Sequence, residues 1–206
     1  MAREGLLFFL PFMVLSILFF YVFRSHPDML YVYLGSGFFC FGCLIILFFR
    51  DPERRIPQGN DLIVSPADGR VIQLREDKRQ VIISIFMSIF NVHINRVPVS
   101  GVVERIEYKP GKFLTAFKDS ASRLNERFEI EIRTNKGTVV LHQIAGVVAR
   151  RVVCRLKKGQ EVRAGDRFGM VRFGSRVDLF LPLSVEIEVK KGQKVKGGQT
   201  LIGRMV

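Results

Sequence analysis

The residues best suited to chemistry are Gly174 and Ser175, in the stretch from Val171 to Pro182, where a Gly-Ser bond joins two apolar runs. A serine hydroxyl beside a strained glycyl carbonyl can attack it. Elimination from the resulting ester, followed by hydrolysis, leaves a pyruvoyl group on the downstream chain. The same dipeptide also suits an ordinary turn, with Arg176 simply solvated. Acid-base chemistry at this bond needs a titratable partner, and from residue 51 onward there are only two histidines, His93 and His142. His93 lies in Phe90-Asn-Val-His-Ile-Asn-Arg-Val-Pro98, where polar residues alternate with Val and Ile and so project from one face of an extended segment. Asp68 lies in Val64-Ser-Pro-Ala-Asp-Gly-Arg70, which also reads as an Asp-Gly turn.

These groups must be held by the part of the chain after residue 50, because the part before it is of another kind. Two apolar runs, about residues 5–23 and 29–49, are each close to the roughly 20 residues that cross a bilayer as a helix. The connection Arg24-Ser-His-Pro-Asp28 is short and contains Pro27, so residues 1–50 are predicted to form an antiparallel transmembrane hairpin. The first run is long for a signal-peptide core, no Ala-x-Ala-like site comes after it, and a second span comes at once. Arg3 precedes the first span and Arg50, Arg54 and Arg55 follow the second. The positive-inside rule therefore puts both ends, and the domain of residues 51–206, on the cytoplasmic side of the cell membrane.

That domain carries 29 Lys and Arg against 17 Asp and Glu, a balance of +12 out of +13 for the whole chain. Such a surface favours anionic partners. Its cations are scattered through β-like alternation without a nucleic-acid motif, so a phospholipid surface or substrate is expected and nucleic acid is not. Cys40 and Cys43 fall inside the second span, where small-residue packing is expected of them, and Cys154 stands alone. Neither a disulfide framework nor a metal site is expected.

From residue 60 on, β-branched runs alternate with Gly, Pro and Asp turns: 71–74, 80–85, 101–108, 128–133, 138–143, 147–155, 167–173 and 176–181. No long stretch has a helical period, so a mainly β domain of barrel or sandwich type is predicted. A brief turn is expected within Met87–His93, and Phe113–Arg127 is the longest region without a strand pattern. Lys157-Lys-Gly-Gln-Glu-Val-Arg-Ala-Gly165 repeats as Lys190-Lys-Gly-Gln-Lys-Val-Lys-Gly-Gly198, which implies two quasi-symmetric hairpins. With Gly174-Ser175 between the repeats, the dipeptide is expected at a hairpin tip, where biotinyl and lipoyl carrier domains present their lysine.

In order, Ser65-Pro-Ala-Asp-Gly69, Asn91-Val-His-Ile-Asn-Arg-Val-Pro98, Tyr108-Lys-Pro-Gly111, Asn125-Glu-Arg127, Gln143-Ile-Ala-Gly146 and Phe173-Gly-Ser175 resemble the phosphatidylserine decarboxylase family, in its short, membrane-anchored form. The resemblance covers about residues 50–206. It implies a proenzyme that cleaves itself between Gly174 and Ser175 into a β chain, 1–174, and an α chain, 175–206, which remain together as a heterodimer, with higher assembly left open. Ser175 would become the pyruvoyl group and form a Schiff base with the serine amine of phosphatidylserine, giving phosphatidylethanolamine and carbon dioxide without metal or external cofactor. In the family an Asp, a His and the Ser cooperate in cleavage, and Asp68 and Ser175 match the first and last, with His93 the candidate proton donor of decarboxylation.

One departure is visible. The better-known pattern is His-x-x-His, and here Arg96 stands at the second position, where it cannot act as a base near neutral pH. Either His93 serves both maturation and decarboxylation, or Asp68 or His142 shares the work. Asn95 and Arg96 are candidates to orient the substrate's carboxylate or phosphodiester. The rival reading is a membrane-anchored, non-enzymatic carrier or binding module with a biotinyl-like fold, although the tip would then lack its lysine.

Overall fold

The computed structural model describes residues 3–59, 61–117, 121–146, 152–171 and 174–206, with side chains from residue 5. Two compact units divide the chain, Met1–Glu53 and Arg54–Val206.

The first unit is a pair of helices, α1 (Arg3–Ser25) and α2 (Met29–Phe48), each long and apolar enough to cross a membrane. Asp28 caps α2 by accepting from the Leu30 N–H at 2.9 Å. Small residues let the helices approach: Gly35 lies under the Phe20 ring and Gly42 against Phe9, while Ser16 Oγ donates to the Gly35 carbonyl at 2.8 Å. Phe12 and Phe19 of α1 pack on Phe38 of α2. Packing thus falls to the glycines, whereas Cys40, expected to serve it, is exposed.

The second unit is mainly β, as expected. Its largest element is an antiparallel sheet of eight strands: β2 (Gly69–Glu76), β3 (Gln80–Met87), β5 (Gly101–Lys109), β6 (Arg127–Thr134), β7 (Gly137–Ile144), β9 (Glu161–Val162), β11 (Ser175–Pro182) and β13 (Lys194–Val195). Two three-stranded sheets pack on it. One holds β1 (Leu62–Val64), β14 (Leu201–Met205) and β12 (Val185–Ile187), in that order, and the other holds β4 (Ile94–Arg96), β10 (Arg167–Val171) and β8 (Val152–Cys154). The first part of the strand expected over 147–155 lies outside the described residues.

Alternation directs one side chain in two to a single core shared by all three sheets. Ile83, Ile85, Ile130, Ile132, Leu141 and Leu179 have no exposed surface, and Ile63, Ile202 and Phe168 join them from the small sheets. Burial of each is worth about 1.5–3 kcal/mol.

The sheet order, β13-β2-β3-β11-β7-β6-β5-β9, is palindromic, and the sequence repeat explains why. Lys157 N donates to Gln160 Oε1 and Lys190 N to Gln193 Oε1, both at 3.0 Å. Gly159 N reaches Val103 O and Gly192 N reaches Val71 O, both at 2.7 Å. Each repeat thus makes the same turn, with Gly159 and Gly192 at positive φ (80° and 89°), and docks a two-residue strand, β9 on β5 or β13 on β2. The eight-stranded sheet is two related halves joined between β11 and β7.

The position of Gly174-Ser175 differs from expectation. β10 pairs with β4 and β8, whereas β11 pairs with β3 and β7, so the dipeptide is not a hairpin tip. It lies where the chain leaves a small sheet and enters the centre of the large one.

Candidate active site

β11 is buried along nearly its whole length because both its faces are covered. Ser175, its first residue, is fully buried on the core-facing side with Val177 and Leu179. Gly174 before it has φ +63°, a conformation that glycine adopts without strain. The Gly174 carbonyl oxygen rests on Gly146 so closely that a Cβ built there would lie 1.8 Å from it. The bond between Gly174 and Ser175 is therefore held in a fixed orientation, with the hydroxyl away from solvent.

A buried polar chain continues from the hydroxyl. Ser175 Oγ is 3.9 Å from Met87 Sδ, Asn95 Nδ2 is 3.6 Å from the same sulfur, and Gln143 Nε2 donates to Asn95 Oδ1 at 2.8 Å. Gly169, opposite Asn95 in the β4–β10 pairing, makes room: a Cβ there would lie 2.8 Å from Gln143 Nε2. His93 extends the β4 register, its carbonyl accepting from Val171 N at 3.3 Å, so it shares the face of Asn95 and is almost wholly buried. Val171 is three residues before Gly174, which brings His93 to the same end of the core. Ser175, Asn95 and His93 are thus gathered at one end of the fold.

Asp68 is not in contact with Ser175. It ends the turn into β2, where Oδ2 accepts from Arg54 Nη2 and Oδ1 from Gly197 N, both at 2.8 Å. Arg70 and Arg176 both pair with Phe86, so Asp68 is at the Ser175 end of the sheet with β3 between their strands, about 10 Å away at two strand spacings. Arg96 is buried beside that turn, its N–H on Pro66 O at 2.8 Å and its guanidinium donating to Gly165 O at 2.9 Å. The turn has a counterpart in the other half: Ser100 precedes β5 as Asp68 precedes β2, and Ser100 Oγ accepts from Ala164 N at 3.0 Å.

A family model described as phosphatidylserine decarboxylase matches residues 41–203. The chain belongs to the phosphatidylserine decarboxylase family. Its relatives include proteins named phosphatidylserine decarboxylase proenzyme from Ehrlichia chaffeensis, 49% identical over 77% of this chain and 74% of the relative. Those from Syntrophus aciditrophicus, 43% identical over 98% and 96%, and from Rickettsia bellii, 42% identical over 97% and 88%, span nearly the whole chain.

In this member of the phosphatidylserine decarboxylase family, several supporting residues lie outside the candidates named from sequence. Asn125 ties Leu114 to the end of β7: Oδ1 accepts from Leu114 N at 2.9 Å, and Nδ2 donates to Leu114 O and to Ala145 O, next to Gly146. Their motifs, Asn125-Glu-Arg and Gln143-Ile-Ala-Gly146, were visible, but not that Gln143 joins Asn95 or that Gly146 supports the Gly174 carbonyl.

Arg176, which the ordinary-turn reading would leave solvated, is 2% exposed on the opposite face of β11. There Nε pairs with Asp178 Oδ1 at 2.6 Å, while Nη2 donates to Ser84 Oγ at 2.6 Å and Gln73 Oε1 at 2.9 Å. Phe117 and Ser122 cover this face, Phe117 edge-on to Phe86 and Ser122 Oγ donating to Asp178 Oδ2 at 2.7 Å. His142 is on the same face, directly opposite Asp178 and with Phe180 at 4.5 Å, rather than on the Ser175 side. Burial holds its pKa below the usual histidine value, against the opposing pull of Glu129 and Asp178.

A pyruvoyl group made from Ser175 suits this site on its geometry. The hydroxyl is enclosed, the adjoining carbonyl is immobilised by Gly146, and Asn95 supplies a hydrogen-bonding group within one side chain of it.

Proposed function

We propose that the chain is the proenzyme of a phosphatidylserine decarboxylase that cleaves itself between Gly174 and Ser175. The observation that carries this reading is the buried Ser175 hydroxyl following a left-handed Gly174 whose carbonyl is fixed against Gly146. Ser175 Oγ attacks the Gly174 carbonyl carbon and the peptide bond becomes an ester. Loss of the α-proton of Ser175 expels the Gly174 carboxylate, and hydrolysis of the resulting enamine releases ammonia and leaves the pyruvoyl terminus. His93, at the same end of the core, and Asp68, farther along the sheet edge, assist these proton transfers.

The β chain of 1–174 and α chain of 175–206 remain a heterodimer after the cut. β11 is inserted between β3 and β7, β13 pairs with β2, and β14 with β1, so the α chain supplies strands to a core it cannot leave without unfolding.

The mature site converts phosphatidylserine to phosphatidylethanolamine and carbon dioxide. A pyruvoyl carbonyl at position 175 supplies the electron sink for loss of the carboxylate. The imidazole N–H of His93 gives a proton to the substrate carbon that has lost carbon dioxide, because an imidazole cycles near neutral pH. The Asn95 amide orients the substrate's carboxylate or phosphodiester, whereas Arg96, on the opposite face of β4 with its guanidinium on the Gly165 carbonyl, supports the Asp68 turn. The closed core excludes water from the reacting carbon. Helices α1 and α2 span the cell membrane with the β unit on the cytoplasmic side, as Arg3, Arg50, Arg54 and Arg55 at the two outer ends, against only Arg24 with Asp28 in the connection, favour.

The test is release of labelled carbon dioxide from carboxyl-labelled phosphatidylserine by the full-length protein in mixed micelles. Wild type releases it and Ser175→Ala does not; equal release by Ser175→Ala contradicts the reading.

A further inference from the structure

Between β3 and β4 the chain turns at Ser88–Asn91, and its tip carries Ile89 and Phe90, 51% and 78% exposed. The turn is built to hold them outward. Asn91 Oδ1 accepts from Ser88 N at 2.9 Å and from Ser88 Oγ at 2.8 Å, and Asn91 N donates to Ser88 O at 3.0 Å. Phe86, on the outer face just before the turn, meets Phe117 edge-on at 5.9 Å, and Phe117 is itself 62% exposed. Cations complete the surface. Cross-strand register sets Lys194 opposite Arg70 and Arg70 opposite Phe86, so all three share one face, and both Arg70 and Lys194 are exposed.

We propose that this patch of the β unit is a second membrane contact: Ile89, Phe90 and Phe117 enter the interface of an anionic phospholipid bilayer, and Arg70 and Lys194 meet its phosphates. Aromatic and aliphatic tips backed by cations are what a bilayer surface binds. A charge of +12 from residue 51 onward favours an anionic lipid face over other apolar partners. The location gives the contact a purpose, and this step rests on the decarboxylase reading. Ile89 is two residues from Met87, whose sulfur touches Ser175 Oγ. A lipid whose acyl chains stay in the bilayer beneath the tip would thus present its headgroup beside position 175.

The chain contains no tryptophan, so Phe90→Trp in the full-length protein is a single reporter. It is reconstituted into vesicles of phosphatidylethanolamine and phosphatidylglycerol. The expected result is blue-shifted emission, quenched by lipids spin-labelled near the headgroup and poorly quenched by acrylamide. Water-like emission quenched by acrylamide and not by spin-labelled lipid overturns the proposal. Shielding from both quenchers, as a second copy of the chain covering the patch would give, also overturns it. Ile89→Trp repeats the test should Phe90→Trp fold poorly. Carbon dioxide release from the same vesicles, prepared with a small fraction of carboxyl-labelled phosphatidylserine, separates failure of this contact from failure of the decarboxylase reading.

Discussion

The carbonyl oxygen of Gly174 lies against the Cα of Gly146, with 1.8 Å between that oxygen and any Cβ placed at position 146. Both partners in this clash are backbone, so no side-chain rotation relieves it. Gly146→Ala must push the carbonyl out of the orientation in which the Ser175 hydroxyl meets it. Overpacking of this kind costs about 1–3 kcal/mol. The variant is expected to accumulate as uncut precursor that still folds, seen as a single band on denaturing gels; cleavage at the wild-type rate would show that the contact does not orient the bond.

The equivalence of Asp68 and Ser100 separates structure from chemistry. Each accepts a turn N–H in its half of the fold, Gly197 N at 2.8 Å and Ala164 N at 3.0 Å. A serine at 68 can therefore still satisfy the turn, but it loses the mostly buried pair with Arg54, whose side chains are 10% and 14% exposed, and leaves that guanidinium with Gln199, so the loss exceeds the roughly 1 kcal/mol of a surface pair. Asp68→Ser is expected to fold with a melting temperature lowered by several degrees, and to process slowly or not at all at temperatures where it is fully folded. Normal processing would remove Asp68 from the maturation chemistry.

Arg176 and Asp178 form a buried ion pair with 2% and 1% of their side chains exposed. Removing one member strands the other charge away from water. Asp178→Ala should cost about 3–5 kcal/mol, while replacing both with apolar residues, Arg176→Met with Asp178→Leu, should cost much less. Denaturant unfolding of the detergent-solubilised protein measures both; a single variant as stable as the double one would contradict the argument.

His142 predicts a pH effect on stability. Burial lowers its folded pKa, so the unfolded chain binds its proton more readily. Its contribution is complete above the unfolded value of about 6.5 and is lost as pH falls through that value toward the folded one. Its buried Nδ1 has no hydrogen-bond partner among the described residues, so His142→Phe leaves no donor or acceptor unpaired there. Between pH 7 and 5 wild type should lose more stability than His142→Phe, read as the difference in apparent melting temperature; parallel curves would contradict the burial argument.

How much could be read in advance depended on whether a feature was local. Strands of eight or nine residues, such as β3, β5 and β11, were recognisable because β-branched alternation runs through most of their length. Strands of two or three residues, such as β9, β13 and β4, carry no period, and only the repeat around Gly159 and Gly192 hinted at two of them. The Gly174-Ser175 bond was legible as chemistry but misplaced as a hairpin tip, because pairing of β11 with β3 and β7 is set across distant segments. Burial of Arg176 was hidden for the same reason: its cover, Ser122 and Phe117, comes from a segment without strand pattern. Asn95 could be picked out from its alternation with Ile94, but its partner Gln143 is 48 residues away, and only the fold joins them.

The most direct measurement is the intact mass of the purified, detergent-solubilised protein. Two chains, the smaller beginning at residue 175 and carrying a pyruvoyl terminus in place of serine, are expected. A single uncut chain of 23.6 kDa in a preparation that decarboxylates phosphatidylserine would contradict the account.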